Sequence, residues 1–320
     1  VSLKPQIKEC FIMNGKRAFT LIELLTVMAI IALLVGLLLP ALAQARAKAQ
    51  MTKDQTQIKQ IHAAWTTFSR DYNGIFPTPG IINRLPDPII GADSPGRGPE
   101  DPRANTSNAM YSACIMQNYF TPQILVAPTE PSGFVAVKDD FDWSLYDPLA
   151  DVYWDADEDG NNVSDNPSYI PFKVDLDIEN HGSSRICNVS YAHTPICGER
   201  KVQEWKDSLN SKWAIVGNRG VRCGSEQETD YYASVTLEFH GGRKQWVGNI
   251  GYNDNHVELH DTFYPDGMNY LDENNETTAD NLFRNDSQNG DCDTGFGIDV
   301  WLTLISDIQD DECNVVSEWD

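Results

Sequence analysis

Basic residues are scarce in this sequence: 24 Lys and Arg stand against 47 Asp and Glu, giving a formal net charge of −23. A surface of that sign repels the phosphate backbone and anionic headgroups, so nucleic acid is excluded as a partner. Most of the excess is solvated acidic surface that favours solubility and divalent cations. No CxxC pair occurs, which removes the commonest signature of a structural zinc site. A Gly-rich phosphate motif and internal repeats are missing too. So is any Ser/His/Asp or Cys/His arrangement that spacing alone can support, leaving no basis for an enzyme. Long apolar runs are absent, with one exception near the N-terminus.

That exception is the stretch Phe19–Leu39, bordered by Lys16 and Arg17. As a helix it spans ~32 Å at ~1.5 Å per residue, enough for a ~30 Å hydrocarbon core. The two cations stay cytoplasmic by the positive-inside rule, which places the rest of the chain outside. An ordinary secretory signal has a shorter apolar run and a small-residue cleavage site; AQARA after the run offers one. Glu23 argues against that alternative. A carboxylate inside hydrocarbon costs a few kcal/mol, so it needs a partner or a function.

Helical character continues past Pro40, where a missing N–H and a steric clash make a weak point beside Gly36. Ile58, Ile61, Trp65, Phe68 and Tyr72 recur in steps of three and four, one stripe on an α-helix. Asn73-Gly74 ends it with a left-handed cap.

The run KRAFTLIELLTVMAIIALLVGLLLPAL resembles the class III signal of type IV pilins and type II secretion pseudopilins. The resemblance implies that a prepilin peptidase cuts between Ala18 and Phe19 and methylates the new N-terminus. Ala18 stands where that family usually has Gly, a departure small enough for cleavage to survive. Glu23 then becomes the fifth residue of the mature chain, able to pair with the α-ammonium of a neighbouring subunit, and Pro40 matches the helix-kinking proline. DYNGIFPT resembles the segment after the long helix of major pseudopilins. LLPALAQARAKAQ…IKQI resembles large pilin-like families of planctomycete- and verrucomicrobium-type bacteria.

The expected plan is a basic leader (1–18), a transmembrane or filament-core helix (19–42), its amphipathic continuation (43–73) and an acidic soluble head (74–320). The fold class is α+β: a long N-terminal helix packed on an antiparallel sheet. Expected strands are Gly133–Lys138, Asn188–His193, Trp213–Gly217, Ala233–Glu238, Lys244–Asn249 and His256–Leu259, chosen on β-branched and aromatic bias between turn-rich borders. Residues 80–110 form a long surface loop.

With Cys10 lost in the leader, six cysteines remain: Cys114, Cys187, Cys197, Cys223, Cys292 and Cys313. On the oxidising side of a membrane they can form up to three disulfides in fifteen connectivities. Chain proximity favours Cys187–Cys197, then Cys292–Cys313; buried reduced thiols are the alternative.

Asp155, Asp157, Asp159 and Asn161, with Gly160 for the turn, follow the calcium-loop logic of the EF-hand. The pattern departs at its end, where Asp165 comes one residue early and Asn166 replaces the bidentate Glu; calcium is the expected cofactor on the first half of the pattern, and a solvated acidic loop the alternative. His256, Glu258 and His260 share one face if that segment is a strand, and are expected to be structural. Five N-x-S/T sequons fit chance in an Asn-rich chain.

The implied function is a structural subunit of a type IV pilus-like filament, foremost a pseudopilin of a type II secretion-like system. A surface pilus subunit for adhesion or motility is the alternative, and a large head suits a minor, tip-type role. A tethered calcium- or carbohydrate-binding protein that does not polymerise is the reading from another class. Implied partners are other pilin-like subunits, the prepilin peptidase, an inner-membrane assembly platform and the membrane. The implied location is the inner membrane, with the head outside the cytoplasm.

Overall fold

The computed structural model describes residues 20–82, 100–145, 172–176, 186–272, 274–310 and 313–319. The chain divides into two units, Val1–Lys48 and Ala49–Asp320, and the division falls inside helix α1 (Leu21–Asp71). Thr20 starts that helix through a reciprocal contact with Glu23. The Glu23 N–H donates to Thr20 Oγ1 at 3.3 Å, and Glu23 Oε2 accepts the Thr20 N–H at 2.9 Å and its hydroxyl at 2.7 Å. This is a capping box, satisfying donors that the first helical turn leaves without partners.

From Val27 to Leu42 the helix is apolar on every side, and it is exposed throughout the first unit: Leu21 is 81% exposed and Leu37 68%. A helix apolar all round belongs in a membrane or in a core built from other chains. It is long and apolar enough to cross a membrane. Pro40 sits within it; lacking an N–H, it leaves the Gly36 carbonyl without a helical donor.

In the second unit the expected stripe is present. Ile58, Ile61, Trp65 and Phe68 are buried, each contributing ~1.5–3 kcal/mol on leaving water, and Tyr72 stacks on Phe68 at 4.1 Å. The helix ends at Asn73 and Gly74, with φ of 56° and 85°. The Gly74 N–H donates to the Ser69 carbonyl at 2.8 Å.

Four antiparallel strands form the main sheet in the order β1 (Tyr191–His193), β2 (Ala214–Asn218), β3 (Gly248–Tyr252), β4 (Val257–His260). Together with the apolar helix this makes an α+β, pilin-like architecture. Two glycines in β3 answer to packing: a Cβ on Gly251 would lie 2.7 Å from Ile58 Cγ2, and one on Gly248 2.4 Å from the Trp246 ring. The strand is glycine-rich because α1 and Trp246 press against it. Further along are two hairpins, β5 (Asn269–Leu271) with β6 (Thr277–Ala279), and β7 (Leu304–Ile308) with β8 (Val315–Glu318). Thr303 bridges His193, so the β7–β8 hairpin adjoins the free edge of β1.

Three expected strands are found, with shifted ends: β1, β2 and β4. The expected strand Lys244–Asn249 begins four residues early and overlaps only the start of β3. Ala233–Glu238 is not a strand: Ser234 Oγ accepts the Thr236 N–H at 3.3 Å and caps a 3₁₀ turn over Val235–Glu238. Gly133–Lys138 supplies a single bridge, Val135 to Cys187. Its neighbourhood is held in turns by Glu130 and Ser132 side chains that accept N–H groups two residues on.

Shorter helices frame the core: α2 (Pro79–Ile82), α3 (Ser107–Met116), α4 (Gly198–Glu204) and α5 (Glu228–Ala233). The largest apolar cluster joins Ile58, Ile61 and Trp65 of α1 to Tyr111 and Ile115 of α3, Trp205, and Ile215 and Val216 of β2.

Candidate functional site

The N-terminal segment carries the chemistry singled out in the sequence. Ala18 and Phe19 lie outside the described residues. Glu23, in the first turn of α1, is held by both polar groups of Thr20, and its charge also suits the positive end of the helix dipole. The sequence signal for this contact is Thr-x-x-Glu before an apolar run, a capping-box pattern that the membrane reading of the same residues overshadows. What the arrangement can do follows directly. A carboxylate at the tip of an otherwise apolar helix is oriented by its own chain and presents one further oxygen, Oε1, to a cation.

In the second half of α1, Asp54 ties the helix to the sheet. It is fully buried and accepts from Tyr191 Oη at 2.7 Å, Asn249 Nδ2 at 2.6 Å and Asn218 Nδ2 at 3.4 Å. His240 Nε2 lies 3.1 Å away. One carboxylate therefore engages β1, β2 and β3 together. Burial first, then Asp54, raises the Tyr191 phenol well above its usual range and keeps it a donor. One turn on, Gln57 Nε2 donates to the Gln123 and Val126 carbonyls, each at 3.2 Å. Neither Asp54 nor Gln57 stands out in the sequence, because polar residues beside an apolar stripe read as solvated.

Ser107 and His193 meet at 2.8 Å, a pairing that invites a catalytic reading. Both are fully buried. Ser107 Oγ accepts the Ile305 N–H at 2.8 Å, and His193 Nδ1 lies 2.7 Å from the Thr194 carbonyl. The chain of donors runs Ile305 N–H, Ser107 hydroxyl, His193 Nε2, with His193 Nδ1–H ending on Thr194. Burial lowers the His193 pKa to about 4 and fixes the neutral ring. The pair stitches α3, β1 and β7 together.

The calcium-loop residues Asp155, Asp157, Asp159, Asn161 and Asp165 lie outside the described residues. Elsewhere, Asp280, Asp286 and Asp299 place carboxylate oxygens within 4.8 Å of one another. Protein groups serve most of them. Asp299 pairs with the buried Arg200, Asp286 accepts the Asn281 N–H at 2.9 Å, and Asp280 accepts the Val300 N–H at 2.8 Å. Burial pushes Asp280 up to about 8, so it holds a proton at neutral pH. On β4, Glu258 lies between His256 Nε2 at 3.9 Å and His260 Nε2 at 3.7 Å. Both rings have other partners: His256 pairs with Asp254, and His260 Nε2 meets Tyr252 Oη at 2.8 Å.

The cysteines pair otherwise than chain proximity favours. Cys223 is bonded to Cys292, with Cα atoms 5.8 Å apart across a sequence separation of 69. Cys187–Cys197 and Cys292–Cys313 are not formed. Cys114, Cys187, Cys197 and Cys313 are buried thiols. Cys187, whose backbone bonds Phe134 and Ala136, belongs to a different apolar cluster from Cys197.

A model of the prokaryotic N-terminal methylation motif matches residues 13–39. With a long apolar helix and an antiparallel head sheet, the match supports a type IV pilin-like or pseudopilin-like protein. It takes in Ala18, Phe19 and Glu23. No curated protein and no solved structure matches the chain.

Proposed function

We propose that this chain is a structural subunit of a type IV pilus-like filament, foremost a pseudopilin of a type II secretion-like system. The observation that carries the proposal is the exposed apolar helix with Glu23 at its tip, inside a matched methylation motif. A prepilin peptidase removes the leader after Ala18 and methylates Phe19. The mature subunit waits in the inner membrane with its head outside, and an assembly platform draws it into the filament. There the helices of neighbouring subunits bury one another's apolar surface, and the Glu23 carboxylate meets the α-ammonium of an adjacent chain. The acidic heads keep the filament surface soluble.

Imaging of an epitope-tagged head, with crosslinking between cysteines placed along Leu24–Leu39, tests this. A ladder of crosslinked oligomers confined to the envelope supports the pseudopilin; a ladder extending to cell-surface fibres moves the assignment to a surface pilus. Crosslinks that stop at the monomer refute polymerisation and leave the tethered binding protein.

A further inference from the structure

Helix α4 begins at a cysteine. Cys197 occupies its N-cap, and the helix is clamped to the 285–299 segment by Arg200, whose guanidinium is fully buried. Arg200 donates to the Asp299 carbonyl at 2.7 Å, the Gly295 carbonyl at 3.0 Å, the Phe296 carbonyl at 2.7 Å and Asn285 Oδ1 at 2.6 Å. It also pairs with the Asp299 carboxylate. Gly295 is thereby fixed against α4, and its own N–H donates to the Cys313 carbonyl at 2.7 Å. A Cβ on Gly295 would lie 2.2 Å from Cys197 Sγ and 3.3 Å from Cys313 Cβ. Glycine is required there because the two cysteine side chains fill that space.

The Cys313 thiol raises the pKa of Cys197, and the Cys197 thiol lowers that of Cys313, as two neighbouring sulfurs do. Both cysteines belong to one apolar cluster with Trp301, Ile305 and Cys292, the last already bonded to Cys223. We propose that Cys197 and Cys313 form a second disulfide in the exported protein, closing the start of α4 onto the β7–β8 hairpin. It encloses the Cys223–Cys292 link in sequence, so residues 223–292 lie within both crosslinked loops.

The chemistry is dithiol–disulfide exchange with an oxidising thiol–disulfide catalyst of the extracytoplasmic space. Either cysteine can attack first, and Cys313 serves as the example. Its thiolate attacks one sulfur of the catalyst's disulfide and expels the other as thiolate. Cys197, losing its proton, then attacks Cys313 Sγ and releases the catalyst's second thiolate. Two protein thiols are oxidised, one catalyst disulfide is reduced to a dithiol, and the two protein protons end on it. Both sulfurs are buried in the finished fold, so the exchange belongs to the folding stage.

The inference rests on the head lying in an oxidising compartment, and Cys223–Cys292 is the internal control for that condition. The full-length protein is purified from the envelope, its free thiols are alkylated in denaturant without reductant, and non-reduced peptides are mapped by mass spectrometry. Expected are two linked peptide pairs, Cys223 to Cys292 and Cys197 to Cys313, with Cys114 and Cys187 alkylated. Alkylated Cys197 and Cys313 beside an intact Cys223–Cys292 link overturn the proposal. Should all six be alkylated, the export reading is at fault. The same protein is then refolded in a glutathione couple, where failure of Cys197–Cys313 while Cys223–Cys292 forms again overturns it. Cys197→Ser, Cys313→Ser and the double variant should each lower Tm by the same several degrees in oxidised protein, and should lower it far less under reductant.

Discussion

Glu23 Oε2 accepts two hydrogen bonds from Thr20, one from its N–H at 2.9 Å and one from its hydroxyl at 2.7 Å. The carboxylate proposed to receive a neighbouring α-ammonium is therefore already oriented within its own chain. Only one of its oxygens is committed. In the proposed processing the new amino group would belong to the residue that precedes Thr20 in the sequence. The expected mature N-terminus is N-methylated Phe19, read directly from the mass of the N-terminal peptide. A start after Ala45 or Ala47, with the apolar run lost, would show an ordinary secretory signal.

Asp54 gives a second expectation. Truncating a buried carboxylate that serves three strands leaves Tyr191, Asn249 and Asn218 with unmet donors. Asp54→Ala should cost ~3–5 kcal/mol, the range for breaking a buried charged network. Asp54→Asn, which keeps one acceptor, should cost ~1–3 kcal/mol. Urea unfolding of the two variants measures both; equal and negligible losses would mean that the helix is held by its apolar stripe alone.

These two residues show what is legible in the sequence and what is not. The stripe Ile58, Ile61, Trp65, Phe68 is readable because burial in a helix repeats with the helical period. Asp54 is not, since its partners come from residues more than 130 positions away. Strand β3 is misplaced for a related reason: glycine weakens a strand taken alone, whereas Gly251 answers to Ile58, a contact that only the tertiary fold creates, and Gly248 to the ring of Trp246. The disulfide Cys223–Cys292 escapes the sequence because chain proximity stands in poorly for spatial proximity. Glu23 is legible twice over, as an anomaly in an apolar run and as the end of a capping box, and the anomaly is the louder of the two.

His193 sets a pH dependence. Its folded pKa, lowered to about 4 from a usual 6.5, means that the unfolded chain binds a proton that the folded chain refuses. The contribution is fully present above pH 6.5 and is lost as pH falls toward 4, by ~2–3 kcal/mol at ~1.4 kcal/mol per unit. In urea titrations from pH 7 to 4.5, His193→Gln should show a shallower fall than the parent protein. Parallel slopes would remove His193 as the source.

The spacing of Asp155, Asp157 and Asp159 in the sequence carries the expectation that they bind calcium. A ligand bound only by the folded state raises stability by mass action, so millimolar calcium should raise Tm by several degrees over a chelated sample. The gain should vanish in Asp157→Asn/Asp159→Asn. An unchanged melting curve in the parent protein contradicts a calcium role there.

Glu23→Val tests the filament most directly. Valine suits hydrocarbon better than glutamate, so insertion cannot fail for want of hydrophobicity, and the Ala18–Phe19 junction with its basic flank is untouched. What disappears is the partner of the incoming α-ammonium. A stranded buried charge costs ~3–5 kcal/mol by analogy with broken buried ion pairs, repeated at every added subunit. The measurement is the ratio of crosslinked or sheared polymer to processed membrane monomer, with the Glu23→Val variant replacing the parent. The account predicts normal processing and insertion with polymer reduced at least tenfold; polymer yield equal to the parent's would contradict it.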